Sequence, residues 1–259
     1  MESQAEVKVP IIVRKGNFIK LNYVGRIKET GKIFDTTIEE IAKKELGDEA
    51  KEVRLGPLTI AVGANQVIRG LDEALEGVEV GVQKQVEIPP EKAFGLRDPK
   101  LVKIAPAKQF LAQGITPKPG LRVTVDGRPA KIQSVSSGRV IVDLNHELAS
   151  KVLMYEFKIE EKIESPIEQI RALINYYIPI AEASQHLIEI KNSEAIIKLA
   201  DICKFDDRVI VGKQRVITGI FKYIPNINKI TFVEEYIKPE KFDLGIEALP
   251  KPEEIKPTK

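Results

Sequence analysis

Apolar and polar residues alternate along residues 17–29 (NFIKLNYVGRIKE), where Phe18, Ile19, Leu21, Tyr23 and Ile27 mark a strand. Thr30-Gly31 turns the chain, and residues 32–37 form a second strand that ends in polar residues. The period then lengthens. Ile38, Ile41, Ala42 and Leu46 lie at helical spacing in the charged segment 38–53, which predicts an inserted surface helix, or two short ones, broken at Gly47. Leu58, Ile60 and Val62 alternate again, and from Leu71 to Leu75 the apolar spacing changes from two to four, so a short helix follows a polar turn. This strand–turn–helix leaves Val67 and Ile68 at its rim. On its own residues it is either the floor of an apolar pocket or a packed strand–helix unit. Residues 82–88 (VQKQVEI) read as an antiparallel strand with one solvated face, stopped by Pro89-Pro90, and residues 91–95 form a turn carrying Phe94. A further short strand is expected at residues 9–14.

From Arg97 the texture changes. Short apolar bursts at 101–104, 122–125, 130–135 and 139–144 are separated by Pro-Gly, Asp-Gly and Ser-Gly turns, with one or two helical turns at 106–114. Together they predict a β-rich unit of about fifty residues, small for a domain. A long strand follows at 152–163. Ser165, Pro166 and Glu168 then read as an N-cap, a first helical residue and the far half of a capping box. That helix carries Ile167, Ile170, Ile174 and Tyr177 and ends before Pro179. A hairpin (187–191 and 195–199) around Asn192-Ser193, an amphipathic helix over 207–223 and a last strand at 230–237 complete a separate α+β unit. Gly212 and Gly219 argue against the second helix. From Lys238 the Pro, Lys and Glu content predicts an extended tail.

Composition narrows the function. The 40 basic and 38 acidic residues leave a net charge of +2, which argues against a dominant role on nucleic acid. The single Cys203 cannot form an intrachain disulfide or a multi-cysteine metal site, and its apolar neighbours make it a buried inert thiol. No stretch approaches the ~18 consecutive apolar residues of a membrane span, and the acidic start with a short apolar run is not a signal peptide, so the cytoplasm is the expected compartment. Few thermolabile residues among abundant Lys and Glu hint at a thermophilic source.

The familiar enzyme constellations are missing. There are two histidines, His146 and His186, at no metal-ligand spacing, and neither a nucleophile elbow nor a phosphate-binding glycine loop is present. His146 reads as a hydrogen-bonded residue at a strand end, and the adjacent glutamate pairs as surface charge. No cofactor or metal is expected. What remains is an apolar pocket.

At this point the residues carry a resemblance. Tyr23, Phe34-Asp35, Val67-Ile68-Arg69-Gly70-Leu71, Ala93-Phe94-Gly95 and Tyr155, in that order, resemble the FKBP-type peptidyl-prolyl isomerases. The stretch DLNHELASKVLMYEFKIEE is similar to the Asn-His-x-Leu-Ala element of the SlyD-like branch, and the resemblance extends to the long archaeal class with an added C-terminal domain. It implies a half-open antiparallel sheet wrapped on a short helix (1–96 with 145–164), an insert-in-flap domain (97–144), a C-terminal α+β domain (165–237) and a tail (238–259). The implied pocket is lined by Tyr23, Phe34, Asp35, Leu58, Val67, Ile68, Leu71, Phe94, Leu148, Ala149 and Tyr155. The Ile68 N–H would hold a substrate carbonyl, and Asp35 would orient the pocket or polarise the rotating bond. The insert would grip unfolded or proline-containing chains through Val102, Ile104, Phe110, Leu111, Ile132 and Val140, some of which must also serve as its core. Two positions depart from the family. Leu71 stands where Trp is frequent, and Phe94 lacks the hydroxyl of the usual flap tyrosine, so substrate and macrolide binding should be altered. The metal-binding tail of SlyD has no counterpart. The first helix and last strand of the C-terminal domain either pair two copies into a homodimer or belong to a packed monomeric domain; neither nucleic acid nor membrane is an expected partner.

Overall fold

The computed structural model describes residues 9–237. The calls on the leader before residue 9 and on the 238–259 tail lie outside that range. Within it the architecture is α+β, built on three antiparallel or mixed sheets.

The first sheet is organised by β1 (Phe18–Ile27), whose alternation buries Ile19, Leu21 and Tyr23 on one face. β2 (Ile33–Thr36) and β3 (Leu58–Ala61) pair with opposite ends of β1's same edge, and β9 (Leu153–Ile163) runs along its other edge, with β4 (Gln83–Ile88) outside it. All these pairs are antiparallel. Between β2 and β3 lie α1 (Glu39–Glu45) and a 3-10 turn from Gly47, with the predicted break. The short helix α2 (Arg69–Leu75) presses Leu71 and Leu75 into the concave face of the sheet. It lies so close to β4 that a Cβ on Gly70 would sit 2.4 Å from Ile88 Cγ2. The strand expected at 9–14 is not formed. Those residues instead run beside residues 77–80 through one bridge, Ile12 to Glu79, and buried Val13 seals that end of the core.

Between β4 and β9 a second sheet is inserted, in the order β5 (Val102–Pro106), β8 (Arg139–Asp143), β7 (Arg128–Ser136), β6 (Arg122–Val125), with α3 (Ala107–Ala112) against it. It has its own core of Phe110, Val123, Ala130, Ile132, Val140, Val142 and Leu144. Two chain passages form its neck. Asp98 N–H donates to Asn145 Oδ1 at 2.8 Å, Asn145 Nδ2 returns to Asp98 O at 3.0 Å, and Arg97 N–H donates to Ser150 Oγ at 2.8 Å.

The C-terminal elements are α4 (Pro166–Tyr177), the hairpin β10 (Leu187–Lys191) and β11 (Glu194–Lys198), α5 (Arg208–Tyr223) and β12 (Lys229–Phe232). Asn192 and Ser193 both have positive φ, at 46° and 66°, as a two-residue hairpin turn requires. Three details correct the sequence reading. Ser165 occupies the N-cap of α4 but its side chain caps nothing; Gln169 Nε2 donates to Ile163 O at 2.8 Å instead. The last strand ends at Phe232, not 237, and pairs parallel to β11. Gly212 and Gly219 do not weaken α5; they are where it crosses α4, with Cβ positions 2.6 Å from Ile178 Cγ1 and 3.0 Å from Leu173 Cδ2. Cys203 is buried, and burial pushes its thiol pKa up.

Candidate active site

Four rings and one carboxylate converge where β1, β2 and β9 meet. Gly25 pairs with Asp35 on one side and Tyr155 on the other, so these residues share one level of the sheet. In a regular strand Phe34 and Asp35 would point to opposite faces. Here the register jumps, Gly25 facing Asp35 while Arg26 faces Ile33, so Phe34 is the extra residue of a bulge. The bulge re-aims its side chain and brings both Phe34 and Asp35 into the same cleft. Gly25 makes room for this. A Cβ there would lie 2.8 Å from Phe34 Cζ and 3.2 Å from Tyr155 Cε1.

The ring of contacts closes around that point. Phe34 meets Tyr155 edge-on at 5.8 Å and Phe94 at 6.5 Å, while Tyr23 and Tyr155 lie 5.5 Å apart. Tyr23 Oη donates to Asp35 Oδ2 at 2.8 Å. Burial raises the Asp35 pKa above the ordinary carboxylate value, opposed by the hydrogen bonds from Tyr23 and the Thr36 N–H. Burial, then the Asp35 charge, pushes both tyrosine hydroxyls up as well, so they remain donors.

The cleft has a volume of about 1110 Å³. Of the residues named from sequence, Tyr23, Phe34, Asp35, Phe94 and Leu148 line it. Leu58, Leu71 and Tyr155 are buried in the core of the isomerase sheet and are not among the residues that line the cavity, which corrects their assignment as lining. Val67 and Ile68 pack half-buried against the same core at the start of α2. The Ile68 N–H donates to no acceptor among the described residues, while its carbonyl takes the Leu71 and Asp72 N–H groups. The turn before it is held from two sides: buried Asp72 accepts the Gly63 and Asn65 N–H groups at 2.8 and 2.9 Å, and Gln66 Oε1 accepts Ala61 N–H at 2.7 Å. Ala149 is half-buried behind the rim and donates its N–H to His146 O.

Two features escaped the sequence reading. His146 does accept a hydrogen bond, from Leu148 N–H to Nδ1 at 3.2 Å, but its ring also stacks flat on Phe94, with centroids 4.1 Å apart and planes within 5°. The aromatic wall thus extends one ring further than Phe94, and only the adjacency of Asn145-His146 to the insert neck could have signalled it. Gly25 carried no signal at all in an alternating strand. Among the insert residues, Phe110, Ile132 and Val140 are buried in its core, Val102 is half-buried, and Ile104 and Leu111 are exposed. Among the described residues no group of His, Cys, Asp and Glu is arranged to hold a metal, and no helix is long and apolar enough to cross a membrane.

Most of the chain is similar to known proteins. Residues 10–111 match the model of the FKBP-type peptidyl-prolyl cis-trans isomerases, residues 103–148 that described as FKBP26, IF domain, and residues 166–237 that described as FKBP26_C-terminal. A short-type peptidyl-prolyl cis-trans isomerase of Methanocaldococcus jannaschii is 39% identical over 150 residues, 58% of this chain and 94% of that protein. The FKBP-type peptidyl-prolyl cis-trans isomerase SlyD of Helicobacter pylori is 36% identical over 121 residues, 45% of this chain and 64% of that one.

Proposed function

The chain belongs to the FKBP-type peptidyl-prolyl cis-trans isomerases, and from that premise we propose that its aromatic cleft accelerates X-Pro rotation in unfolded or folding polypeptides while the insert retains them as a chaperone. The observation that carries the reading is the convergence of Tyr23, Phe34, Phe94 and Tyr155 about the half-buried Asp35. Rotation about the C–N bond faces a barrier of ~18–20 kcal/mol, because amide resonance is lost at the twisted geometry. The twisted amide is less polar than the planar one. An apolar, ring-lined cleft therefore binds the twisted form better, and each ~1.4 kcal/mol of such differential binding is worth about tenfold in rate. The Ile68 N–H anchors the substrate carbonyl beyond the proline, and Asp35 polarises the rotating group. No covalent intermediate and no cofactor enter this scheme. We place it in the cytoplasm.

Division of labour follows the three cores. The isomerase sheet supplies rotation, and the 97–144 insert supplies grip. Since Phe110, Ile132 and Val140 are occupied inside the insert, the grip passes to Ile104, 67% exposed, and Leu111, 56% exposed, with Val102 beside them. A refolding reaction limited by proline isomerisation tests both parts. The full chain should accelerate it at catalytic concentration. A chain lacking residues 101–144 should keep its turnover on a short peptide and lose most of its refolding activity. Aggregation suppressed without any acceleration would leave a holdase and remove the rotation.

A homodimer through the C-terminal unit is the second part of the proposal. The buried face of α4 is spent within its own chain, on Ile170, Leu173 and Ile174. The surface that favours pairing is instead Ile202, Phe205, Tyr236 and Ile237, with Phe205 85% exposed and its ring 6.2 Å from that of Tyr236. Light scattering should give twice the chain mass, reduced to one chain by F205E; a wild-type monomer would remove the dimer.

A further inference from the structure

The cleft carries a charge pattern that bond rotation in an apolar pocket does not need. Five cations line it, Lys32, Arg54, Arg122, Arg128 and Lys131, against two carboxylates, Asp35 and Glu147. Both carboxylates are already engaged. Asp35 accepts from Tyr23, and Glu147 takes Arg122 at 2.9 Å and Lys131 at 3.4 Å. Lys32 and Arg122 are partnered within the chain. Arg54 and Arg128 form no ion pair among the described residues, although both are exposed.

Their placement is two-sided. Arg54 comes from the segment before β3 and is close enough to act electrostatically on the Tyr23 hydroxyl. Arg128 opens β7 just after the Asp126-Gly127 turn, on the insert side of the same cavity. An extended client chain rises ~3.3 Å per residue and alternates its side chains, so with its proline on the rings the residues just before and just after it both face away from the rings, about 6.6 Å apart along the chain, toward the rim that carries the arginines.

We propose that the cleft selects prolines flanked by acidic residues, with Arg54 and Arg128 as the specificity-determining side chains that receive client carboxylates on the two sides. This rests on the isomerase reading and names its substrate class. Asp35 lines the same cleft but is half-buried and bonded to Tyr23, so it offers little repulsion to a carboxylate at the rim. The contacts are solvent-exposed, so each contributes modestly, acts on association more than on the chemical step, and is screened by salt.

The test uses the full chain and three peptides differing only beside the proline, with Glu, Gln or Lys at the flanking positions. At low ionic strength kcat/KM should be about fivefold higher for the Glu peptide than for the Gln peptide, and lower again for Lys. The Glu-to-Gln ratio should fall toward one in about 0.5 M salt with the wild-type protein, and in the R54Q/R128Q variant without added salt. The salt arm needs no variant, so misfolding of the double mutant cannot hide the answer. Equal values for the three peptides, or a preference for Lys, would overturn the charge selection and leave the isomerase intact. Turnover of none of them would overturn the isomerase, and fluorescence anisotropy of the same labelled peptides would then decide whether the cleft still prefers carboxylates. Stronger inhibition by a single-stranded oligonucleotide than by the Glu peptide would assign the cations to phosphates instead and sink the proposal.

Discussion

Asp35 carries a burial cost that its hydrogen-bond donors only partly offset. Its folded pKa is raised, so its protonated form is the one folding prefers. That contribution to stability is fully present below the unfolded value of ~3.9 and is lost as pH rises through the higher folded value. The carboxylate is half-buried and depends on Tyr23 and the Thr36 N–H for its donors. Replacing it by Asn should therefore change stability by no more than about 1 kcal/mol, toward stabilisation, because a half-buried charge is removed. Activity should move the other way, with kcat/KM down about tenfold. Thermal melts and peptide turnover on D35N check both signs. In the wild type, turnover should begin to fall on acidification at a pH above that of a free aspartate; a decline only near the free value would place the catalytic charge elsewhere. At this scale the sequence was partly legible. Phe34-Asp35 stood out through the family resemblance, in a strand that ends in polar residues. That both side chains reach one cleft depends on the bulge and on the missing Cβ of Gly25, and neither follows from alternation.

At the scale of elements, helix α5 shows why propensity misleads. An exposed helical glycine replaced by Ala gains ~1 kcal/mol. Gly212 is buried, and a Cβ there would lie 2.9 Å from the Tyr177 carbonyl oxygen and 2.6 Å from Ile178 Cγ1. G212A should then destabilise the protein by about 1–3 kcal/mol, measured by denaturant unfolding, since the crossing with α4 must open. A stabilising result would mean the crossing is looser than described. The glycines that weakened the sequence case for this helix are what let it pack. Elements defined by local period were readable within a residue or two: β6, the β10–β11 hairpin, α4 and the broken helix after β2. Two elements whose extent depends on a distant partner were not, although β1, β4 and β9 were. Residues 9–14 alternate enough for a strand but meet no neighbour beyond one bridge, and β12 stops where β11 stops offering partners.

At the scale of the whole molecule, the C-terminal unit is joined to the isomerase sheet rather than hung from it. Phe18 and Ala61 from β1 and β3 belong to the same core as Leu173 and Ile220, and Phe18 meets Tyr223 edge-on at 6.2 Å. Tyr176 Oη donates to Gln66 O at 2.9 Å, and Gln66 is the residue before Val67-Ile68. A helix of the third unit thus braces the turn from which the Ile68 N–H is presented. Y176F removes that donor alone. It should cost about 1 kcal/mol of stability and lower kcat/KM about threefold, with KM carrying more of the change than kcat. Unchanged unfolding and unchanged turnover would show that the brace is idle. No pattern within residues 166–177 announces this contact, because its partner is a backbone carbonyl a hundred residues earlier in the chain.

The position of β9 sets an order of events during synthesis. β1 and β4 both wait for this one strand, which emerges only after the insert has been made in full. The insert depends on no such latecomer: its four strands pair among themselves over a core of its own. It can therefore mature while the first sheet is still open. Once it has, its neck fixes Asp98 beside Asn145, and the loop that β9 must close shrinks from the whole inserted segment to a few residues at each end. The entropy of loop closure grows as the logarithm of loop length, so the prefolded insert lowers that cost by on the order of 1 kcal/mol. The nascent chain can thus complete its inserted module before its isomerase sheet, with the former acting as a clasp for the latter.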